Sequence, residues 1–227
     1  MPNDLDLVLL QFFNGSHSAF IDQLILTLTN GLTWIPLYIA LFVIVLKNNE
    51  SMSQIFIIVG CCALGVLVSA GLDNLWVKPM VERPRPALDP YVKYAIDVVE
   101  NHREKGFSFF SAHAANTFTL AVYMMLLVRN RAFTVAITAW SLLNCYTRLY
   151  LGVHYPSDIL CGLLCGLIVG YIAYRVHLVL YYKITPHFQY ISEAYTKTGY
   201  SIGDIDIVIA TLVFTIIYAF FKAVLSV

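Results

Sequence analysis

The sequence predicts an all-α membrane protein, a bundle of five or six transmembrane helices with amphipathic N-terminal helices. Three observations predict it. Hydrophobic residues fill 59% of the 227 positions and charged residues only 12%, whereas a soluble domain carries about 25% charged residues. Mean hydropathy is +0.72. The apolar residues also fall into runs near the roughly 20 residues that cross a bilayer as helix, with the charges gathered in the breaks. The length suits a single integral membrane domain over residues 1–227.

The first element is amphipathic. Over residues 3–30, Leu5, Val8, Leu9, Phe12 and Phe13, then Phe20, Ile21, Leu24, Ile25 and Leu28, lie on stripes at helical spacing, broken at Asn14-Gly15. Neither half is long or apolar enough to cross a bilayer comfortably, so two interfacial helices are expected. The alternative joins the second half to the next apolar run in one longer span. Spans are expected over 32–46, with Trp34 and Tyr38 as interfacial aromatics, and over 54–76, which ends in Lys78. Residues 79–110 form a polar loop, rich in proline at its start. Further spans cover 112–128, 132–150, 156–182 and 205–225. The 156–182 span exceeds the bilayer length and tilts or projects. A polar connection at 183–201 carries Lys183, Pro186, His187, Glu193 and Lys197.

Composition excludes some functions. The formal net charge is zero, which offers nothing to a nucleic-acid backbone. Cys61, Cys62, Cys145, Cys161 and Cys165 all lie inside apolar runs and read as small apolar fillers rather than metal ligands. The chain opens with Asp4 and Asp6 rather than a basic region, so no cleavable signal peptide is expected. No repeat or low-complexity tract is evident.

Three separated segments stand out against this background. They are Lys78 to Pro86, Phe110 to His113, and Thr147 to Asp158. Spans alternate direction, so the end of the second, the start of the third, the end of the fourth and the start of the fifth share one membrane face. All three segments lie at those four ends. A membrane tolerates such polar residues only where they are used. The opposite face carries Lys47, Arg129, Arg131, Arg175, Lys183 and Lys197; the motif face carries Lys78, Arg83, Arg85, Lys93, Arg103, Lys105, Arg148 and Lys222. Setting aside Lys78, Arg85 and Arg148 as functional leaves a slight excess opposite, which makes that side cytoplasmic and turns the motif face outward.

The residue types fit phosphate transfer, which needs positioning and charge neutralisation above all. Lys78, Arg85 and Arg148 supply cations, and arginine forks suit phosphate oxygens. Pro84 and Pro86 stiffen the chain around Arg85. Taken alone, Lys78 reads as a snorkelling boundary residue; beside two arginines it reads as a phosphate ligand. Ser111 is the expected N-cap of the third span, where free N–H groups favour an anion. His113, in the first turn, suits a general acid near neutral pH. Pro156 opens the fifth span, which puts Asp158 in its first turn, within reach of a ring nitrogen of His154. An aspartate there can orient an imidazole nucleophile, and it also favours the helix dipole. His113, His154 and Asp158 could instead form a two-histidine, one-carboxylate metal set, but three cations around the same place argue against a divalent ion.

The spacings Lys78-x6-Arg85-Pro86, Ser111-x-His113 and Arg148-x5-His154-x3-Asp158 resemble the signature motifs of the type 2 phosphatidic acid phosphatase superfamily, which also includes the vanadium haloperoxidases. The resemblance covers residues 78–158. It implies hydrolysis of a phosphate or pyrophosphate from a membrane lipid, without metal or cofactor, through a phosphohistidine. By matching position it implies His154 as nucleophile, Asp158 as its orienter and His113 as general acid. Lys78, Arg85, Ser111 and Arg148 would hold the phosphate, under the 79–110 loop. The family's usual Pro-Ser-Gly-His reads Phe110-Ser-Ala-His113 here, and its usual serine before the arginine is Thr147. The stretch 107–116 looks like bacterial inner-membrane members acting on lipid A or undecaprenyl pyrophosphate; phosphatidylglycerol phosphate and phosphatidic acid are alternatives. A transporter or channel is the alternative from another class. It predicts charges deep in the spans, where the candidates are only Asp73, Asp204 and Asp206. The sequence leaves oligomeric state open.

Overall fold

In the computed structural model, residues 4–16, 18–184 and 193–227 are described. Pro186 and His187 of the polar connection lie outside them. Helix α1 (Asp4–Phe13) exposes Leu5, Val8 and Phe12 while burying Asp6 and Leu10. It is the expected amphipathic piece, with one anomaly: an acid on its inner face. Helix α2 (Ala19–Thr29) buries Ile25 and Leu28. A 3₁₀ turn, Gly31–Trp34, leads into α3 (Ile35–Lys47), with Pro36 in its first turn. α2 and the turn-plus-α3 run pass together as one apolar span bent by 67°. The first half of 3–30 is therefore a separate helix, and the second half joins α3.

Helix α4 (Met52–Gly71) begins with a capping box between Ser51 and Gln54. It continues through a π-helical turn, Leu72–Val77, into the short α5 (Lys78–Val81). Such a turn re-aims the residues beyond it, here the first motif. Then come α6 (Ala112–Val128), α7 (Arg131–Tyr150), α8 (Pro156–Tyr181) and α9 (Ile202–Ser226). Among the described residues, three helices are long and apolar enough to cross a bilayer, those starting at Met52, Pro156 and Ile202, or four with the bent pair. α6 is shorter, at 17 residues, and more than half of its side chains are buried, as suits the inner wall of the bundle. On the face away from the motifs, Lys47 pairs with Asp204 and ties α3 to the start of α9.

What brings the second and third motifs together is a stripe of small residues on α8. Gly162, Gly166 and Gly170 face α6 so closely that a Cβ would lie 2.7 Å from the Ser111 carbonyl, 2.6 Å from that of Ala115 and 2.8 Å from that of Thr119. Between helices in a membrane, packing of this kind replaces the hydrophobic drive. Backbone approach at Gly162 sets Ser111 beside the start of α8, where the Ser111 N–H donates to the Asp158 carbonyl at 3.1 Å. Gly166→Ala is expected to destabilise the protein by about 1–3 kcal/mol through overpacking. Gly60→Ala, whose Cβ would meet nothing within 4 Å, is expected to leave it unchanged or slightly more stable. Thermal melting of the two variants in detergent checks this.

Candidate active site

The third motif is built by the turn between α7 and α8. Gly152, with φ of +63°, reverses the chain in a conformation that glycine adopts without strain. His154 comes two residues later, 2% exposed, and Pro156 opens α8 as expected. Asp158, fully buried, caps the helix by accepting the Tyr155 N–H on Oδ2 at 2.9 Å. Its Oδ2 lies 3.6 Å from His154 Nδ1, just beyond hydrogen-bond distance. The Ser108 hydroxyl donates to the same Oδ2 and sits 3.4 Å from His154 Nδ1. One edge of the imidazole thus faces a carboxylate and a hydroxyl. The other edge, Nε2, faces Arg85 Nη1 at 3.3 Å.

Arg85 and Arg148 come together although 63 positions separate them in the sequence. Arg85 donates to the carbonyls of Val153 at 3.1 Å and Lys105 at 3.3 Å. Arg148, 1% exposed, donates to Thr29 Oγ1 at 2.7 Å. Its Nε–H has no partner among the described residues. An unsatisfied buried guanidinium N–H costs stability unless something fills it. His113, half-buried on the first turn of α6, lies within electrostatic reach of Arg148, Glu104, His154 and Arg85. Ser111 caps α6 by accepting the Ala114 N–H at 3.4 Å. The hydroxyl of Thr147 is spent on the Asn144 carbonyl at 2.7 Å.

Lys78 has an acidic partner that its spacing did not point to. Its ammonium is 2.6 Å from the carboxylate of Asp73, fully buried in the π-helical turn, and 3.2 Å from Asn74 Oδ1. Asp73 in turn lies in the field of Arg85 and Asp158. Lys78 is therefore paired with an acid that itself lies in the field of Arg85.

Burial pushes the His154 imidazole down to about 4, helped by Arg85 and Arg148 and opposed by Asp158. A depressed histidine is neutral across the physiological range, so its Nε2 lone pair is available; protonation arrives only as pH falls through about 4. Glu104 shows the opposite balance. Burial alone would raise it, but Arg148 and Arg85 hold it down at about 2.

Four contributors escaped the sequence reading. Arg83 donates to Asp158 Oδ1 at 2.6 Å, to Ser157 Oγ at 2.8 Å and to Asp6 Oδ2 at 2.8 Å, and its guanidinium stacks 3.9 Å from the Tyr155 ring. Asp6 explains the acid on the inner face of α1: it also accepts the Ser157 N–H at 2.9 Å. Ser108 bonds Asp158, and Glu104 bridges Arg85 and Arg148. Arg83 had a signal, since Pro84 separates it from Arg85 and both were bound to be held rigidly. Asp6, Ser108 and Glu104 had none, because only the fold brings them there.

Fold and site together define a helical membrane enzyme that gathers arginines, histidines and an aspartate at one end of its helix bundle. Residues 55–182 match the PAP2 superfamily model, and the chain belongs to that superfamily. It is a bacterial membrane protein and a lipid phosphatase, a phosphoric ester hydrolase. Two relatives are called lipid A 4′-phosphatase. One, from Bacteroides thetaiotaomicron, is 36% identical over 77% of this chain and 77% of its own. The other, from Porphyromonas gingivalis, is 32% identical over 73% of this chain and 70% of its own. No solved structure matches. Of the charges that a transporter would need inside its spans, Asp73 pairs with Lys78 and Asp204 with Lys47, while Asp206 is exposed.

Proposed function

We propose that the chain removes a terminal phosphate from a lipid of the lipid A type through a phosphohistidine on His154, without a metal. One observation carries the mechanism: His154 Nε2 faces the guanidinium that, with Arg148, forms an anion cradle, while Nδ1 faces Asp158. With the Nδ1 proton held toward Asp158, the Nε2 lone pair attacks phosphorus. The bond from phosphorus to the lipid oxygen breaks as His113, in its imidazolium form, gives that oxygen its proton and becomes neutral. Water, losing a proton to His113, then attacks the phosphohistidine, and neutral His154 and inorganic phosphate are released. Arg85, Arg148, the Ser111 hydroxyl and Lys78 carry the phosphate charge, which favours a site without a divalent cation. The two relatives' names support lipid A as the substrate type; undecaprenyl pyrophosphate is the runner-up on the motif resemblance.

The site faces outward from an inner membrane, to the periplasm. The support is the charge balance across the membrane. With Arg83 also engaged at the site, the motif face keeps Lys93, Arg103, Lys105 and Lys222 against six cations opposite, the arrangement expected when the opposite side is cytoplasmic. Purified protein is expected to release phosphate from lipid A in the presence of EDTA, faster than from undecaprenyl pyrophosphate, phosphatidylglycerol phosphate or phosphatidic acid, and to be inhibited by vanadate. Activity that disappears in EDTA and returns with a divalent ion rules out the metal-free mechanism. A different preferred lipid in the same panel replaces the substrate while leaving the mechanism standing.

A further inference from the structure

Glu104 sits where an anionic substrate belongs. Its Oε2 is 2.9 Å from Arg85 Nη1, its Oε1 pairs with Arg148 Nη2, and His102 Nε2 is 3.9 Å away. The two guanidiniums are nearly sealed, with side chains 7% and 1% exposed, whereas Glu104 is 28% exposed. The carboxylate, more exposed than either guanidinium, reaches them from the loop between the first and second motifs. Two guanidiniums share one anion, and a carboxylate has only two oxygens to offer. It leaves Arg148 Nε without a partner among the described residues.

We infer that Glu104 is a specificity-determining residue, a tethered carboxylate that keeps singly charged phosphodiesters out of the arginine cradle and yields to a doubly charged terminal phosphate. This rests on Arg85 and Arg148 being the phosphate ligands. A terminal phosphate carries about −1.5 to −2 charges near neutral pH and three acceptor oxygens. It can serve Arg85, the Arg148 fork and the free Nε–H together. A phosphodiester carries one charge and two free oxygens, the same as the carboxylate it must displace. The carboxylate has the advantage of attachment, with an effective concentration in the millimolar range or above. A site at a bilayer surface is surrounded by phospholipid headgroups, which are diesters. An unguarded pair of arginines would be filled by them.

The test uses full-length protein in detergent, as wild type, Glu104→Gln and Glu104→Asp. Two quantities are read: the dependence of melting temperature on inorganic phosphate, and the inhibition of phosphate release by phosphatidylglycerol in mixed micelles. Glu104→Gln is expected to melt below wild type without phosphate and to bind phosphate about tenfold tighter, the gain expected if the carboxylate fills the cradle roughly nine times in ten. Phosphatidylglycerol is expected to inhibit it at mole fractions that leave wild type unaffected. Glu104→Asp, too short to span both arginines, is expected to lie between them, and it decides the matter alone if Glu104→Gln does not fold. Equal phosphate binding in variant and wild type, or equal inhibition by phosphatidylglycerol, overturns the role of Glu104 while leaving the phosphate site intact. If neither wild type nor variant responds to phosphate or vanadate, the cradle itself is misassigned and the role of Glu104 falls with it.

Discussion

His154→Ala is expected to lower phosphate release by roughly 10⁴-fold or more, the order seen when a nucleophile–base pair loses a member. Inorganic phosphate should still raise its melting temperature, because Arg85 and Arg148 keep their backbone and Thr29 partners. The loss then belongs to chemistry and not to binding. Wild type quenched in denaturant during turnover of a radiolabelled lipid should carry an acid-labile, alkali-stable label, and the variant should carry none. Turnover retained in His154→Ala would remove the phosphohistidine from the mechanism. The basis is the two-edged environment of the ring. Nδ1 is turned toward Asp158 and Ser108, Nε2 toward Arg85, and burial keeps the imidazole neutral.

Arg83→Gln is expected to have the second largest effect. It removes a cation that bridges Asp158 and Asp6, leaving a fully buried carboxylate without its charged partner. Breaking a buried pair from one side costs about 3–5 kcal/mol. Arg83 bonds Asp158 directly and is expected to act by positioning that carboxylate. The measurement that separates positioning from mere stability is kcat per folded molecule. It should fall by about 10²-fold, within the range set by a lost orienting group, while KM moves little. Arg83→Lys keeps the charge but loses the fork and should recover part of the loss. Asp6→Asn should be milder than Arg83→Gln, because Arg83 still reaches Asp158. An unchanged kcat in well-folded Arg83→Gln would reduce Arg83 to a structural clamp.

The candidate catalytic residues were legible because each is read locally. A serine before an apolar run marks an N-cap, a proline marks a first helical turn, and an aspartate two residues later must sit in that turn. Those rules place Ser111, Pro156 and Asp158 without any knowledge of neighbours, and alternation of span direction puts His113, Arg148 and His154 on the same face. The small residues at Gly162, Gly166 and Gly170 were also visible at a four-residue spacing, but glycine in an apolar run is ambiguous until its partner helix is known. Lys78 shows the limit from the other side. Its immediate partner is Asp73, brought onto the same side by a π-helical turn that no composition signal marks.

Composition, hydropathy and motif order were enough to determine a helical membrane protein and its lipid phosphatase class, because these depend on the type and local spacing of residues. Only the tertiary structure decided how the aspartate is held and which carboxylate pairs with Arg85 and Arg148. Asp6, Arg83 and Asp158 come from three distant parts of the chain, and Glu104 reaches the arginines from a loop without periodicity. Contacts of that kind arise from helix packing and loop closure in three dimensions, and they leave no pattern along one.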